Sequence, residues 1–392
     1  MLKKNIVIFC GGTGASELVK MLSRDNNVNL TILVNCYDDG LSTGKLRNYI
    51  PGMLGPSDIR KNVKHSLQEN SIFFSGFSHI LMFRFPDKTG EVEAKNYLAN
   101  ITKDNCLTKC LTDHQIDFLQ EEIDRFLKYS ETTLVDFDFS DVSLGNILFA
   151  GLYLKDHNFN KTVHLFSKFF LIPTTVLNLT DGSDLKLLGI TENNSILQNE
   201  AAICHLSHSE KIRDIFLLER YLECDEIYFI QRHQEKNIEY LTSMSHIPAI
   251  NPQVYDLIIR ADIIIYWAGT PYSSLFPSYL TENLLEIVSE SGAKKILVTN
   301  ILKDHDIFNE TTTSLIEKFF RFMSRKKSVS FKYKSIVTDI LVNQVNPASI
   351  TEDRFFLLEN TDLSYSGVSI HYKDWSNPTG KHCISKILEF LQ

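Results

Sequence analysis

Two adjacent carboxylates, Asp38 and Asp39, are followed closely by Ser42, Thr43, Lys45 and Arg47, and a second polar stretch brings Asp58, Arg60 and Asn62. Carboxylates hold magnesium through oxygen and water, cations neutralise phosphoryl oxygens, and hydroxyls fill the remaining hydrogen bonds, so this combination suits phosphate chemistry. Asp-Gly is also ordinary turn chemistry, and two neighbouring carboxylates are usually solvated. What lifts the reading is a glycine-rich run upstream, Gly11, Gly12, Thr13 and Gly14, which lets the backbone approach a ligand closely.

The elements that must position these residues are legible from patterning. The apolar run Asn5 to Cys10 reads as a strand, and Ala15 to Ser23 carries apolar residues at helical spacing, giving strand, tight turn, helix. Unpaired N–H groups at the helix start favour an anion. A second strand, Leu30 to Asn35, delivers the Asp pair to the same edge of a parallel sheet, where α/β proteins bind ligands. The turn is not a Walker loop, because no GK[ST] follows, and Glu17 stands where the dinucleotide fingerprint has its third glycine.

Taken together, GGTG, DDG-x-S-x-G-x-LR and G-x-x-DIR-x-N resemble the 2-phospho-L-lactate transferase and gluconeogenesis-factor family. Leu144–Leu148, containing Gly145 and Asn146, is similar to the family's GN-containing helix start. Ala268–Pro277, with Gly269, Thr270, Ser273 and Ser274, is similar to its GPGSLYTSILPNL signature. The sequence departs from the family pattern at GPSDIR for PPGDIR, at DDGLSTG for DDGGSSG, and at Val298–His305, which lacks a PGET portion. The resemblance implies that Gly11, Gly12, Thr13 and Gly14 hold phosphate and that Asp38 or Asp39 binds magnesium. It implies that Lys45, Arg47 and Arg60 offset developing charge, with Asp38, Asp39 and Arg60 the catalytic set. Ser42, Thr43, Asp58, Asn62, Asn146, Gly269, Thr270, Ser273 and Ser274 would bind nucleotide or substrate. Thr175 falls where the family has a PVT-like segment near the ligand.

Two functions from different classes follow. One is a transferase moving a phosphorylated small-acid group from a nucleoside-diphosphate-linked donor to an acceptor hydroxyl, with Mg2+ as cofactor and nucleoside monophosphate released. The other is a non-catalytic regulator that binds a nucleotide sugar in the same pocket. A nicotinamide oxidoreductase with Asp38 on the ribose is disfavoured, because the loop after Asp39 holds more phosphate-binding groups than a ribose contact requires.

Composition narrows the classes further. The chain has 392 residues, 43% hydrophobic, and a net charge of -8 with no basic stripe, which argues against broad nucleic-acid binding. Seven scattered cysteines without a paired CxxC layout read as reduced thiols, and Cys106 with Cys110 as a helix pair rather than a metal site. No apolar run reaches membrane-spanning length and the start does not read as a signal peptide, so a cytoplasmic protein is expected. The expected partners are a nucleoside-diphosphate or nucleotide-sugar ligand, with a homodimer open and neither nucleic acid nor membrane involved.

The expected fold is a doubly wound, mostly parallel Rossmann-like α/β sheet with a helical insertion over about 69–135 and an antiparallel β extension. One nucleotide-binding domain would span 1–324, with 325–392 packed on it as a C-terminal extension. Asp113 is the expected N-cap of an amphipathic helix through Ser130, and His205 and His208 read as solvated. VLNLT and LKLLGIT read as an antiparallel edge or flap, Asp225 to Ile230 as a strand, and Ser278 to Glu290 as one helix. Arg325–Lys327 reads as a solvated helix end, Ile336 to Val342 as a strand and Cys383 to Leu391 as a closing helix.

Overall fold

The computed structural model describes residues 3–324, 331–344 and 363–391, without the side chains of Leu41 and Cys106. Arg325–Lys327 lies outside the described residues. The strands are β1 (Lys4–Phe9), β2 (Val28–Val34), β3 (Thr175–Asn178), β4 (Lys186–Thr191), β5 (Ile196–Leu197), β6 (Ile212–Leu218), β7 (Ile263–Tyr266), β8 (Lys294–Val298), β9 (Asp339–Asn343) and β10 (Ser369–Lys373).

Seven of them form one sheet in the order β10-β9-β8-β7-β1-β2-β3, parallel at every pairing. Buried on both faces, its strands read as continuous apolar runs such as Ile6–Phe9 and Ile263–Tyr266. From β1 the chain adds β2 and β3 on one side and later β7, β8 and β9 on the other. The strand order therefore reverses between β1 and β7, and the crevice beyond their C-terminal ends is the topological switch point where open α/β sheets bind ligands. Among the described residues after 331, Asp339–Asn343 and Ser369–Lys373 add β9 and β10 to the same sheet.

Three helices frame that crevice from the first half: α1 (Ser16–Ser23), α2 (Leu41–Tyr49) and α3 (Ser57–His65). Four further helices between Phe74 and Thr132 form the insertion, and helix Leu144–Asp156 packs against the last of them. That last helix, Asp113–Thr132, is N-capped by Thr112 rather than by Asp113, because Thr112 and Gln115 form a reciprocal capping box.

The β extension is a second sheet, ordered β5-β4-β6 and antiparallel throughout. Three local expectations are corrected. VLNLT does not join an antiparallel flap; Thr175–Asn178 pairs parallel with β2 as an edge strand, and only LKLLGIT enters the small sheet. Asp225 to Ile230 is helical within Cys224–Arg232, capped by Glu223 and Glu226, with Ile227 and Ile230 turned one helical step apart onto the small sheet's apolar cluster. The strand of that region is β6, whose IRDIFLL run lies just upstream. Ser278 to Glu290 is not one helix: Pro277 sits in a short helix ending at Tyr279, and Asn283 in the left-handed region (φ 60°) separates it from helix Leu284–Glu290. Among the described residues no helix is long and apolar enough to cross a membrane.

Candidate functional site

A cavity of about 550 Å³ opens at the switch point, within the size range of small-molecule sites. The turn after β1 forms its floor: Gly11, Gly12, Thr13 and Gly14 all line it, followed by Ser16 and Glu17 at the start of α1. Close packing dictates the glycines. A Cβ on Gly12 would collide with the Asp58 carboxylate and the Lys61 stem, and one on Gly14 would lie 2.9 Å from the Ala268 carbonyl oxygen. Neither has a positive φ, so the demand is for space rather than for a left-handed backbone.

The turn is held from below. Asn62, fully buried, donates from Nδ2 to the Gly11 carbonyl (3.0 Å) and to its own helix at Asp58 (2.9 Å). His65 Nε2 donates to the Gly12 carbonyl (3.2 Å), and Trp267 Nε1 to that of Gly14 (2.9 Å). Three carbonyls that would otherwise repel an anion are thereby occupied. Burial, with Lys64 and Lys20 adding, pulls His65 down to about 4, which keeps the ring neutral.

The loop after β2 separates the two carboxylates. Asp38 lines the cavity, with Oδ1 accepting from Gly40 N (2.8 Å) and Oδ2 from Thr43 Oγ1 (3.4 Å). Burial, then the charges of Glu200 and Asp58, push its carboxyl well above the ordinary carboxylate range. Asp39 turns toward the small sheet: Oδ1 accepts from Glu200 N (2.8 Å) and Oδ2 from Tyr221 OH (2.9 Å). Asp58, from the first turn of α3, also lines the cavity and pairs with Lys61 (3.0 Å). The Asp58 charge raises the Lys61 ammonium above its usual value.

The remaining expected residues divide the same way. Gly269, Thr270 and Ser274, from the turn after β7, line the cavity, with Thr270 Oγ1 and Ser274 Oγ 3.2 Å apart. Ser273 is buried behind them against Cys204 (3.5 Å). Arg47 is buried and committed to the Tyr37, Asp38 and Leu185 carbonyls and to Asp184 (2.9 Å), so it shapes the loop rather than facing ligand. Lys45 pairs with Asp138 (2.7 Å) and the Ser140 carbonyl (2.6 Å). Arg60 donates to Asn146 Oδ1 (2.9 Å) and to the Leu81 carbonyl, and burial brings it down to about 10. Asn146 in turn donates to Ser57 Oγ (3.3 Å), which shares a hydrogen bond with Thr43. Ser42 is buried, with Arg84 Nη1 3.4 Å away. These residues form a polar scaffold under the Asp38 loop. Thr175 is exposed and opens β3 at the end of the strand away from the cavity.

Patterning alone did not single out several lining groups. Glu200 reaches the cavity from a helix capped by Asn199 between β5 and β6 of the small sheet, and Lys61 follows Arg60, the cation the sequence pattern favours. Asn377, Lys381 and His382 arrive from beyond β10. None carries a local signal; only their positions relative to Gly12, far away in sequence, make them site residues.

The comparisons with known proteins agree with this architecture. The gluconeogenesis factor of Halalkalibacterium halodurans is 25% identical over 303 residues, covering 77% of this chain and 68% of that protein. The gluconeogenesis factor of Bacillus subtilis is 25% identical over 300 residues, covering 76% and 68%. A crystal structure of a Bacillus halodurans protein superposes with a TM-score of 0.68 at 20% identity, covering 99% of both chains, which shows the same fold. The family model described as 2-phospho-L-lactate transferase CofD matches residues 6–363, spanning the glycine turn, the Asp38 loop and the turn after β7, and the chain belongs to that family.

Proposed function

We propose that the cavity binds a nucleoside-diphosphate-linked donor with magnesium, and that the chain moves the donor's phosphorylated small-acid group to an acceptor hydroxyl. One observation carries the reading: a glycine turn packed against Asp58 and Lys61 shares a single cavity at the switch point with Asp38 and Glu200. Phosphoryl transfer asks for positioning and charge neutralisation rather than a protein nucleophile. The acceptor oxygen forms a bond to the phosphorus distal to the nucleoside. The bridging P–O bond breaks with its electrons leaving on nucleoside monophosphate, and the hydroxyl proton is lost to solvent.

The donor set fits magnesium. Five carboxylates line the cavity (Glu17, Asp38, Asp58, Glu200 and Asp304) against two lysines (Lys61 and Lys381), so an anionic ligand needs an accompanying cation. Among the described residues no three His, Cys, Asp or Glu side chains are grouped to hold a metal by themselves. That suits an ion that keeps its waters and leans on one or two carboxylates and the ligand's own phosphates. Asp38 would hold it, with Glu200 and Asp58 close by, and it would neutralise phosphoryl oxygens. Asp39, occupied by Tyr221 and Glu200, supports the loop instead.

The relatives' names, which describe a factor rather than an enzyme, favour a second reading without chemistry, in which the same cavity would bind a nucleotide sugar. Incubation with nucleoside-diphosphate-linked donors, magnesium and hydroxyl acceptors separates the two. Release of nucleoside monophosphate, lost in Asp38→Asn, is expected; tight binding with no donor consumed at any acceptor leaves the regulator. A melting midpoint unmoved by every nucleotide, where saturating ligand should add about 2.7 kcal/mol at a hundred times its dissociation constant, would refute both.

A further inference from the structure

The wall opposite the glycine turn comes from the last described part of the chain. After β10 the backbone folds back over the ends of β8 and β7 in a turn that its own hydrogen bonds make rigid. Asn377 Oδ1 accepts from Thr379 N (2.9 Å), Thr379 Oγ1 (2.8 Å) and Lys381 N (3.0 Å), while Gly380 takes a positive φ of 78°. His382 fastens the turn to the sheet. Its Nε2 donates to the Thr299 carbonyl (2.9 Å), and its ring lies 5.1 Å from that of Trp267. Because a carbonyl can only accept, Nε2 carries the proton and Nδ1 is left as an acceptor. Burial lowers the ring to about 4, so it stays neutral at physiological pH.

The chemistry of this wall differs from that of the floor. Apart from the exposed and oppositely charged Asp304 and Lys381, its lining is apolar or neutral: Trp267, Ile301, Leu302 and Ile384, with Asn377 and His382. Two strand spacings, about 10 Å, separate the end of β1 from the end of β8. An anion held at the glycine turn therefore leaves room along this wall for a flat, largely uncharged group with hydrogen-bond donors.

We propose that Asn377–His382 and the neighbouring Ile384 form the nucleoside-recognising wall of the site, taking the base and sugar of a nucleoside diphosphate whose phosphates lie at the glycine turn. This rests on the cavity being a nucleotide site. Rings pack against apolar side chains and aromatic faces, and a neutral histidine accepts a hydrogen bond from a base N–H or a sugar hydroxyl.

Calorimetry on the full chain with magnesium tests it, using uridine diphosphate, guanosine diphosphate and inorganic pyrophosphate, which shares the phosphates but has no nucleoside. The wild type should bind at least one nucleoside diphosphate more than about tenfold tighter than pyrophosphate. His382→Gln keeps a donor for Thr299 and removes the ring; Ile384→Ala removes an apolar contact. Loss of one such contact corresponds to about tenfold in affinity. A loss confined to nucleoside diphosphates, in either variant with an unchanged melting midpoint, supports the wall. A parallel loss for pyrophosphate, or no loss in either variant, overturns it. Wild type binding all three ligands equally keeps the phosphate site and rejects the nucleoside wall, whereas binding of none rejects the nucleotide reading itself.

Discussion

The two sides of the cavity are built by opposite strategies. The floor comes from residues 11–17, 38 and 58–61, a continuous early part of the chain in which glycines, carboxylates and a lysine lie on successive turns of one βαβ arrangement. The far wall comes from residues 300–304, which leave the end of β8, and from residues 377–384, which reach the crevice only because β9 and β10 extend the sheet and the chain then doubles back. The floor is dense in charge, whereas the wall sets Asp304 and Lys381, of opposite sign, among neutral groups. On the proposed reading, a site assembled this way would divide a ligand by chemistry, anionic part against neutral part, with Trp267 joining the two sides through Gly14 and His382.

The sharpest way to break this comparison is at the floor. Gly12→Val forces a side chain into the space held by Asp58 and Lys61, so nucleotide and pyrophosphate affinity should both fall by about a hundredfold or more, a loss of about 2.7 kcal/mol. Calorimetry on a variant shown by melting to be folded checks it, and unchanged affinity would make the turn purely structural. Next comes a contrast between neighbours. Asp38→Asn should remove the magnesium dependence of binding, whereas Asp39→Asn should preserve it and instead lower stability by about 1–2 kcal/mol, because the amide replaces an acceptor of the Tyr221 or Glu200 hydrogen bond with a donor. Paired melts and titrations, with magnesium and with chelator, measure both. Identical behaviour of the two variants would contradict the division drawn between them.

Between floor and wall, the connection after β8 holds Asp306, buried, with Oδ1 lacking a hydrogen-bond partner and its carboxyl pushed up to about 8 by burial. The folded state therefore retains a proton that the unfolded chain releases near pH 4. This group's contribution to stability is fully present below about pH 4 and lost as pH rises through about 8. Asp306→Asn, which mimics the neutral form, should raise the melting midpoint at pH 8 by about 3 °C, roughly 1 kcal/mol for a chain of this size, and change it little at pH 4. The smallest effect belongs to Lys45→Ala. Its partner Asp138 is largely exposed, so about 0.5 kcal/mol of stability and no measurable nucleotide affinity should be lost.

Gly11–Gly14 and Asp38 were legible because a strand–turn–helix signal places them on one sheet edge whatever the rest of the chain does. Arg47, Lys45 and Arg60 show the limit of that reasoning. Their charge suits a phosphate, yet Arg47 and Arg60 are consumed by backbone carbonyls beneath the loop, a choice made by packing rather than residue type. The segment Asp225 to Ile230 reads as a strand because its β-prone apolar residues outweigh a capping box spaced three residues apart, which makes Cys224–Arg232 a helix. Glu200, Asn377 and His382 carry no periodic or turn signature tying them to the glycines, so only tertiary structure could bring them in.

The doubling back of the chain after β10 also sets a schedule. During synthesis the glycine turn, α1 and the Asp38 loop emerge early, but the stretch that closes the far wall emerges more than three hundred residues later. At elongation rates of about 5–20 residues per second, that is an interval of tens of seconds in which the crevice stands open on one side. On the proposed reading, most groups for the anionic end of the ligand are synthesised long before those for its neutral end, so selectivity would be the last property of the site to be completed.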